Sequence, residues 1–249
     1  MKPLEVVNLS KNFGGLEALG RISFSVLPGE ILGIIGPNGA GKTTLFNCIS
    51  GFLSFDSGSV ALFEHNIEGY KPYQIVNLGL TRTWQLLKPF FGMRVMEAIM
   101  VPSFCRRARA KHHSKKEKQE KLIEILEDMG LGEKIWQEVD NLNQGELRLL
   151  DIARALVTFP KILLLDEPFS GLSHKEIKNI SNVVRNLNTQ GLPVVIIEHR
   201  LRELMRLVQK VVVINFGQKI AEGTPELIVR DANVIKAYLG ERRPKIALA

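Results

Sequence analysis

Eight residues, Gly36-Pro37-Asn38-Gly39-Ala40-Gly41-Lys42-Thr43, have the types and spacing of a phosphate cradle, Gly-x-x-x-x-Gly-Lys-Ser/Thr. Glycines let backbone N–H groups curl around phosphate oxygens, and a helix opening there adds partial positive charge. Lys42 brings a point charge to the β- and γ-phosphates of a nucleoside triphosphate such as ATP. The Thr43 hydroxyl suits a hard cation such as Mg²⁺, and Thr44 beside it belongs with the residues expected to bind the nucleotide. A second run, Ile162-Leu163-Leu164-Leu165-Asp166-Glu167, ends in two acids. At a strand's carboxyl end Asp166 can face the cradle and hold the cation through water, and Glu167 can polarise an attacking water. The plain alternative is that both acids cap the loop opened by Pro168, but a cradle in the same chain weighs against it.

Such residues need elements that hold them. Ile31-Leu32-Gly33-Ile34-Ile35 is a continuous apolar run fit for a strand buried on both faces, and similar runs recur at 162–165, 194–197 and 211–214. Helical patterns at about 43–50 and 176–187 separate them, so the expected core is a mostly parallel sheet flanked by helices. The first thirty residues alternate, as in Ile22-Ser23-Phe24-Ser25-Val26, which predicts an antiparallel β region. From 95 to 158 the spacing is mainly helical: Leu122, Ile125, Leu126 and Met129 share a face, as do Leu149, Ala153 and Leu156. Leu142-Asn143-Gln144-Gly145-Glu146 precedes a helix expected over 147–158, with Asn143 as N-cap and Glu146 at the third position, close to a capping box. The expected organisation is one domain over 1–249, an α/β core from 1–90 and 159–249 with a helical subdomain at 91–158.

The 249 residues are 45% hydrophobic and 24% charged, which excludes a disordered or fibrous chain. Cys48 and Cys105 form no framework, the start has no signal-peptide core, and no apolar run nears ~18 residues. A cytosolic protein is expected. Net charge is +7, but residues 106–121 hold eight Lys/Arg against Glu117 and Glu120, leaving about +1 elsewhere. That segment lacks interleaved aromatics for base stacking. It reads first as a solvated helical arm, then as a contact for anionic lipid headgroups, and last as a nucleic-acid contact.

In this order along the chain the residues resemble the ATP-binding cassette (ABC) family. There a loop, usually Leu-Ser-Gly-Gly-Gln, opens a helix like Ile152-Ala153-Arg154-Ala155-Leu156, and residues 142–146 stand in its place. The resemblance covers essentially the whole chain and implies an α/β P-loop NTPase fold, ATP and Mg²⁺ as cofactors, and ATP hydrolysis. It implies that Gln85 matches the Q-loop, which links the metal to the helical subdomain and its membrane partner. Ser170-Gly171-Leu172-Ser173 matches the D-loop, His199 the switch histidine at the γ-phosphate, and Phe13 the aromatic on adenine. Asn143 and Gly145 would then meet a nucleotide held by a partner subunit. Residue by residue, Phe13 as core, Gln85 as a surface polar group and His199 as a loop-end histidine remain the plain alternatives.

A narrower likeness is carried by Gly79-Leu80-Thr81-Arg82-Thr83-Trp84-Gln85 and by Glu222-Gly223-Thr224-Pro225 through Ala237-Tyr238-Leu239-Gly240. Both are similar to ATP-binding subunits of branched-chain amino-acid importers. That group implies membrane permease subunits, a second ATPase subunit (the same or a different chain) and, indirectly, a solute-binding protein as partners. It places the chain peripherally at the cytoplasmic face of the inner membrane, with no nucleic acid. Lipopolysaccharide-export-type cassettes, and soluble ABC ATPases outside transport, rank second. The chain departs from the pattern at Asn143, Gln144 and Glu146, at Ser173 and at Arg200. Glu146 would repel phosphate if it faced nucleotide, unless it turns back to the Asn143 amide.

Overall fold

The computed structural model describes residues 1–111 and 114–239. The chain opens with β1 (Leu4–Phe13), β2 (Leu16–Val26), β3 (Ile31–Ile35), α1 (Lys42–Ile49), β4 (Ser57–Leu62), β5 (His65–Asn66), α2 (Pro72–Leu78) and β6 (Leu80–Arg82). A helical stretch follows with α3 (Val95–Met100), α4 (Arg106–Arg109), α5 (Lys115–Asp128) and α6 (Gln144–Leu156). Alternation then resumes: β7 (Ile162–Asp166), α7 (His174–Thr189), β8 (Val194–Ile197), α8 (Leu201–Met205), β9 (Lys210–Asn215), β10 (Gln218–Gly223), α9 (Pro225–Ile228) and α10 (Ala232–Leu239). His112, His113 and Gly240, which belong to the basic segment and the C-terminal likeness, lie outside the described residues.

Among the described residues two sheets form, an antiparallel one in the order β2-β1-β4-β5 and a six-stranded one in the order β10-β9-β3-β8-β7-β6. The larger is parallel apart from the β10 edge, so the expected mostly parallel α/β sheet with an antiparallel N-terminal region is what the chain forms. β3 lies between strands from the far end of the chain, with Ile31 opposite Val194 and Leu32 opposite Lys210.

The apolar runs are continuous because both faces of the sheet are covered, and successive side chains point to opposite sides. Ile31, Ile35, Leu163, Leu165, Ile196 and Val213 pack with the helices between α3 and α8. Leu32, Ile34, Leu164, Val195, Val212 and Ile214 pack with α1 and the N-terminal strands. The faces expected at Leu122, Ile125, Leu126 and Met129, and at Leu149 and Ala153, are buried in the first cluster, while Leu156 is only partly covered.

Helix α6 starts at Gln144 rather than 147, because its first turn is polar and carries no apolar period to read. Asn143 is its N-cap, and the box is complete: Glu146 N–H donates to Asn143 Oδ1 and Asn143 N–H to Glu146 Oε2, each 3.0 Å. Glu146 therefore turns back to the Asn143 amide, with its other oxygen 2.7 Å from Lys134 Nζ. Ser173 caps α7 in the same way with Glu176.

Candidate nucleotide site

β3 ends at the cradle and α1 begins at Lys42, so the phosphate loop bridges a central strand and a helix N-terminus. Two glycines are required there by geometry. A Cβ on Gly36 would meet the Ile214 carbonyl oxygen at 2.0 Å, and one on Gly41, at φ 104°, would meet that of Ala18 at 2.5 Å. The Lys42 ammonium donates to the carbonyls of Gly36 and Pro37, both at 2.8 Å, across the loop. Burial lowers the Lys42 pKa, and the charges of Glu167 and Asp166 oppose that shift.

β7 is two strands from β3 and ends at Asp166. The Asp166 Oδ2 is 2.6 Å from Nη2 of Arg82, and both side chains are almost fully buried. Burial holds the Asp166 carboxyl above its ordinary value against the opposing pull of Arg82. Glu167 follows at φ 49°, a backbone conformation uncommon outside glycine, which is fixed by its N–H to the Ile197 carbonyl at 2.9 Å. Its carboxylate is bracketed: Oε1 lies 2.6 Å from His199 Nε2, and Oε2 accepts from Gln85 Nε2 at 3.0 Å.

The cleft in front of the loop, about 790 Å³, is lined by Phe13, Asn38 through Thr44, Gln85, Glu167 and His199. Phe13 is 47% exposed on its wall, which removes the core alternative for that residue. Gly36 and Pro37, whose carbonyls accept from Lys42, and Asp166 are not on the cleft wall. Asn143 and Gly145 are elsewhere, in a second cleft of about 740 Å³ with Ser173 and Glu176. Gly145 packs against α7, where a Cβ would meet Glu176 Oε1 at 2.7 Å.

Four features escaped the sequence reading. Arg82 sits on the short edge strand β6 and pairs with Asp166. Arg148 on α6 donates to the Trp84 and Gln85 carbonyls at 2.9 and 3.3 Å, tying the loop of Gln85 to the helix that Asn143 opens. Glu198, 2% exposed, accepts from the N–H groups of Phe169, His199 and Arg200 at 2.6, 2.9 and 3.1 Å. The β9–β10 turn puts Phe216 and Gly217 on the cleft wall. A cation just ahead of Gln85 and an acid just ahead of His199 were the available signals. Nothing in the structure explains the charge of the Arg200 side chain.

Among the described residues no group of three or more His, Cys, Asp or Glu forms a metal cage. The expected donors Thr43, Gln85 and Asp166 would each offer oxygen, and Asp166 Oδ1 is buried without a hydrogen-bond partner. That set fits a hard cation that keeps water and phosphate oxygens for most of its shell.

A phosphate loop after a central parallel strand, facing an acid pair two strands away, defines a P-loop nucleoside triphosphatase. The family model for ABC transporters matches residues 19–170, and that for the branched-chain amino acid ATP-binding cassette transporter matches 218–243. The high-affinity branched-chain amino acid transport ATP-binding protein LivG of Escherichia coli K12 is 38% identical, over 96% of this chain and 99% of its own. BraF of Pseudomonas aeruginosa, named likewise, is 36% identical, over 96% and 98%. The ABC-transporter cassette MJ1267, solved in its ADP conformation, superposes with a TM-score of 0.88 at 34% identity, over 97% of this chain and all of that one. The chain belongs to the ABC transporter family as an ATP-binding subunit of the branched-chain amino-acid type.

Proposed function

We propose that this chain hydrolyses ATP to drive import of branched-chain amino acids through membrane permease subunits. It works at the cytoplasmic face of the inner membrane, beside a second ATPase subunit and, through the permease, with a solute-binding protein. The observation that carries the hydrolytic reading is Glu167, held by His199 and Gln85 in the cleft that Lys42 floors.

The backbone N–H groups of residues 36–44 and the Lys42 ammonium hold the phosphates, and the Phe13 ring meets the base. Lys42 then exchanges its bonds to the Gly36 and Pro37 carbonyls for phosphate oxygens. Thr43, Gln85 and Asp166 would hold Mg²⁺, which when bound supplies positive charge to the phosphoryl oxygens. Glu167 accepts the proton of the attacking water, and His199 orients Glu167 and stabilises charge on the transferred group.

The separate cleft at Asn143 and Gly145 supports a face-to-face pair, in which those residues meet the partner's nucleotide. Closure then follows ATP, because the γ-phosphate adds contacts that only the closed pair makes. The substituted residues at 143, 144 and 146 support pairing with a different ATPase chain and two unequal sites. Phosphate release against protein concentration tests this: binding of ATP with scant turnover is expected, and a full rate rising as the square of concentration refutes it. For the solute, vesicles holding the permease, both ATPase chains and the binding protein are expected to take up leucine, isoleucine or valine with ATP. Uptake of none of the three overturns the solute assignment alone.

A further inference from the structure

Arg82 is held on several sides beside the acid pair, and the reading of the site gives it no role. Its Nη2 holds Asp166 Oδ2 at 2.6 Å, and its Nη1 donates to Asn47 Oδ1 at 2.7 Å and Ser50 Oγ at 3.2 Å. It thereby joins β7 to the helix that starts at Lys42. The guanidinium lies over two aromatic rings, 4.6 Å from the centre of Trp84 and 5.3 Å from that of Phe46. Trp84 precedes Gln85, packs edge-on against Phe52 at 4.7 Å, and has its carbonyl held by Arg148. Of the Asp166 oxygens one is occupied by Arg82, and the other, Oδ1, has no partner.

We propose that Arg82 is a positioning residue that fixes which oxygen of Asp166 is offered to the metal and transmits engagement of that oxygen to the Gln85 loop through the Trp84 ring. The inference rests on the reading of Asp166 as the metal-side acid. A planar, permanently charged fork suits this place: one edge meets the carboxylate, the other meets Asn47, and its face stacks on indole, none of which an ammonium does together. Asp166 cannot turn its second oxygen forward without breaking a buried ion pair. Any shift of its charge toward Oδ1 loosens the guanidinium, and the ring it touches is one residue from Gln85. Outer partners of this kind set the orientation of a metal's ligands and change metal affinity by about 10–100-fold when removed.

The chain has two tryptophans, Trp84 and the exposed Trp136, so Trp136→Phe leaves Trp84 as the single reporter. In that background, Trp84 emission is followed as MgCl₂ is added with ATP present, and affinity for a fluorescent ATP analogue is measured with Mg²⁺ and with EDTA. The parent is expected to show a Mg²⁺-dependent change in Trp84 emission. Arg82→Met is expected to lose that change and to need about 10–100-fold more Mg²⁺ for half-effect, with affinity in EDTA held within about twofold. Arg82→Lys, which keeps the charge, carries the test if Arg82→Met does not fold, and is expected to restore Mg²⁺ affinity in part but not the emission change. Parent-like emission and Mg²⁺ dependence in either variant overturns the proposal, as does a parent whose Trp84 is silent to Mg²⁺. Asp166→Asn separates the two layers: if it leaves the Mg²⁺ dependence of nucleotide binding unchanged, the reading of Asp166 itself falls.

Discussion

Replacing Glu167 by glutamine removes one proton acceptor and keeps the shape of the side chain. In the structure that carboxylate touches His199 Nε2 at 2.6 Å and Gln85 Nε2 at 3.0 Å, and acts on Lys42 only through its charge. Loss of a positioned general base lowers turnover by about 10²–10⁴. That corresponds to about 2.7–5.4 kcal/mol of barrier at 1.36 kcal/mol per decade. The fold loses at most one hydrogen bond to His199, worth about 0.5–1.5 kcal/mol, so the variant stays folded. ATP affinity is expected to hold or tighten, because a negative charge beside the γ-phosphate is gone. Glu167→Gly is the companion: it relieves the φ of 49° yet also lacks the carboxylate, so it too is expected to be slow. The assay is phosphate release from the chain paired with its partner ATPase subunit, in single-turnover and steady-state modes, with nucleotide binding measured on the same samples. Turnover of Glu167→Gln within tenfold of the parent, with binding intact, refutes the assignment of the base.

Three other outcomes follow from the geometry. Glu146→Gln keeps an oxygen for the capping box and loses only the partly exposed pair with Lys134, so stability is expected within about 1 kcal/mol and ATPase within about twofold. A large gain in rate would mean that the carboxylate faces the nucleotide after all. Leu164→Ala, in the cluster beneath α1, is expected to lower the unfolding free energy by about 2–5 kcal/mol in urea titration, and a change under 1 kcal/mol would contradict its burial. Burial raises the Cys48 thiol from 9.0 to about 11. The folded state thus stays protonated while the unfolded chain ionises, so stability is full below pH 9 and declines as pH rises through 11, by up to about 2.7 kcal/mol. Cys48→Ala should lack that component of the alkaline loss. Parallel curves for both proteins between pH 8 and 11 would refute it.

The strands at 31–35, 162–165, 194–197 and 211–214 were readable because burial on both faces leaves an unbroken apolar run. The phosphate loop was readable because glycine spacing and a lysine have few other uses at a strand-to-helix junction. Asn143 and Glu146 declared their helix start through side-chain chemistry local to four residues. Arg82 offered only its place just ahead of Gln85. An arginine three residues before Gln85 looks like any surface cation until β6 pairs with β7 and closes Asp166 over it. The same holds for Arg148, whose partners are backbone carbonyls of a distant loop, and for Glu198, which joins the distant Phe169 N–H to those of its own neighbours His199 and Arg200. Phe216 lines the cleft only because the β9–β10 turn meets the phosphate loop, with Gly217 N–H on the Ala40 carbonyl at 3.0 Å.

The central place of β3 carries a consequence for how the molecule is made. When the ribosome has released the phosphate loop and α1, the strand beneath them has no neighbour, since Ile31 pairs with Val194 and Leu32 with Lys210. At about 5–20 residues per second those partners emerge on the order of 10–30 s later. Throughout that interval Ile31–Ile35 is an unpaired apolar edge on a nascent chain, the form of the molecule most open to aggregation and to capture by chaperones. The nucleotide site is consequently among the last parts of the protein to exist, and truncated chains lacking β8 and β9 have no platform on which to hold ATP.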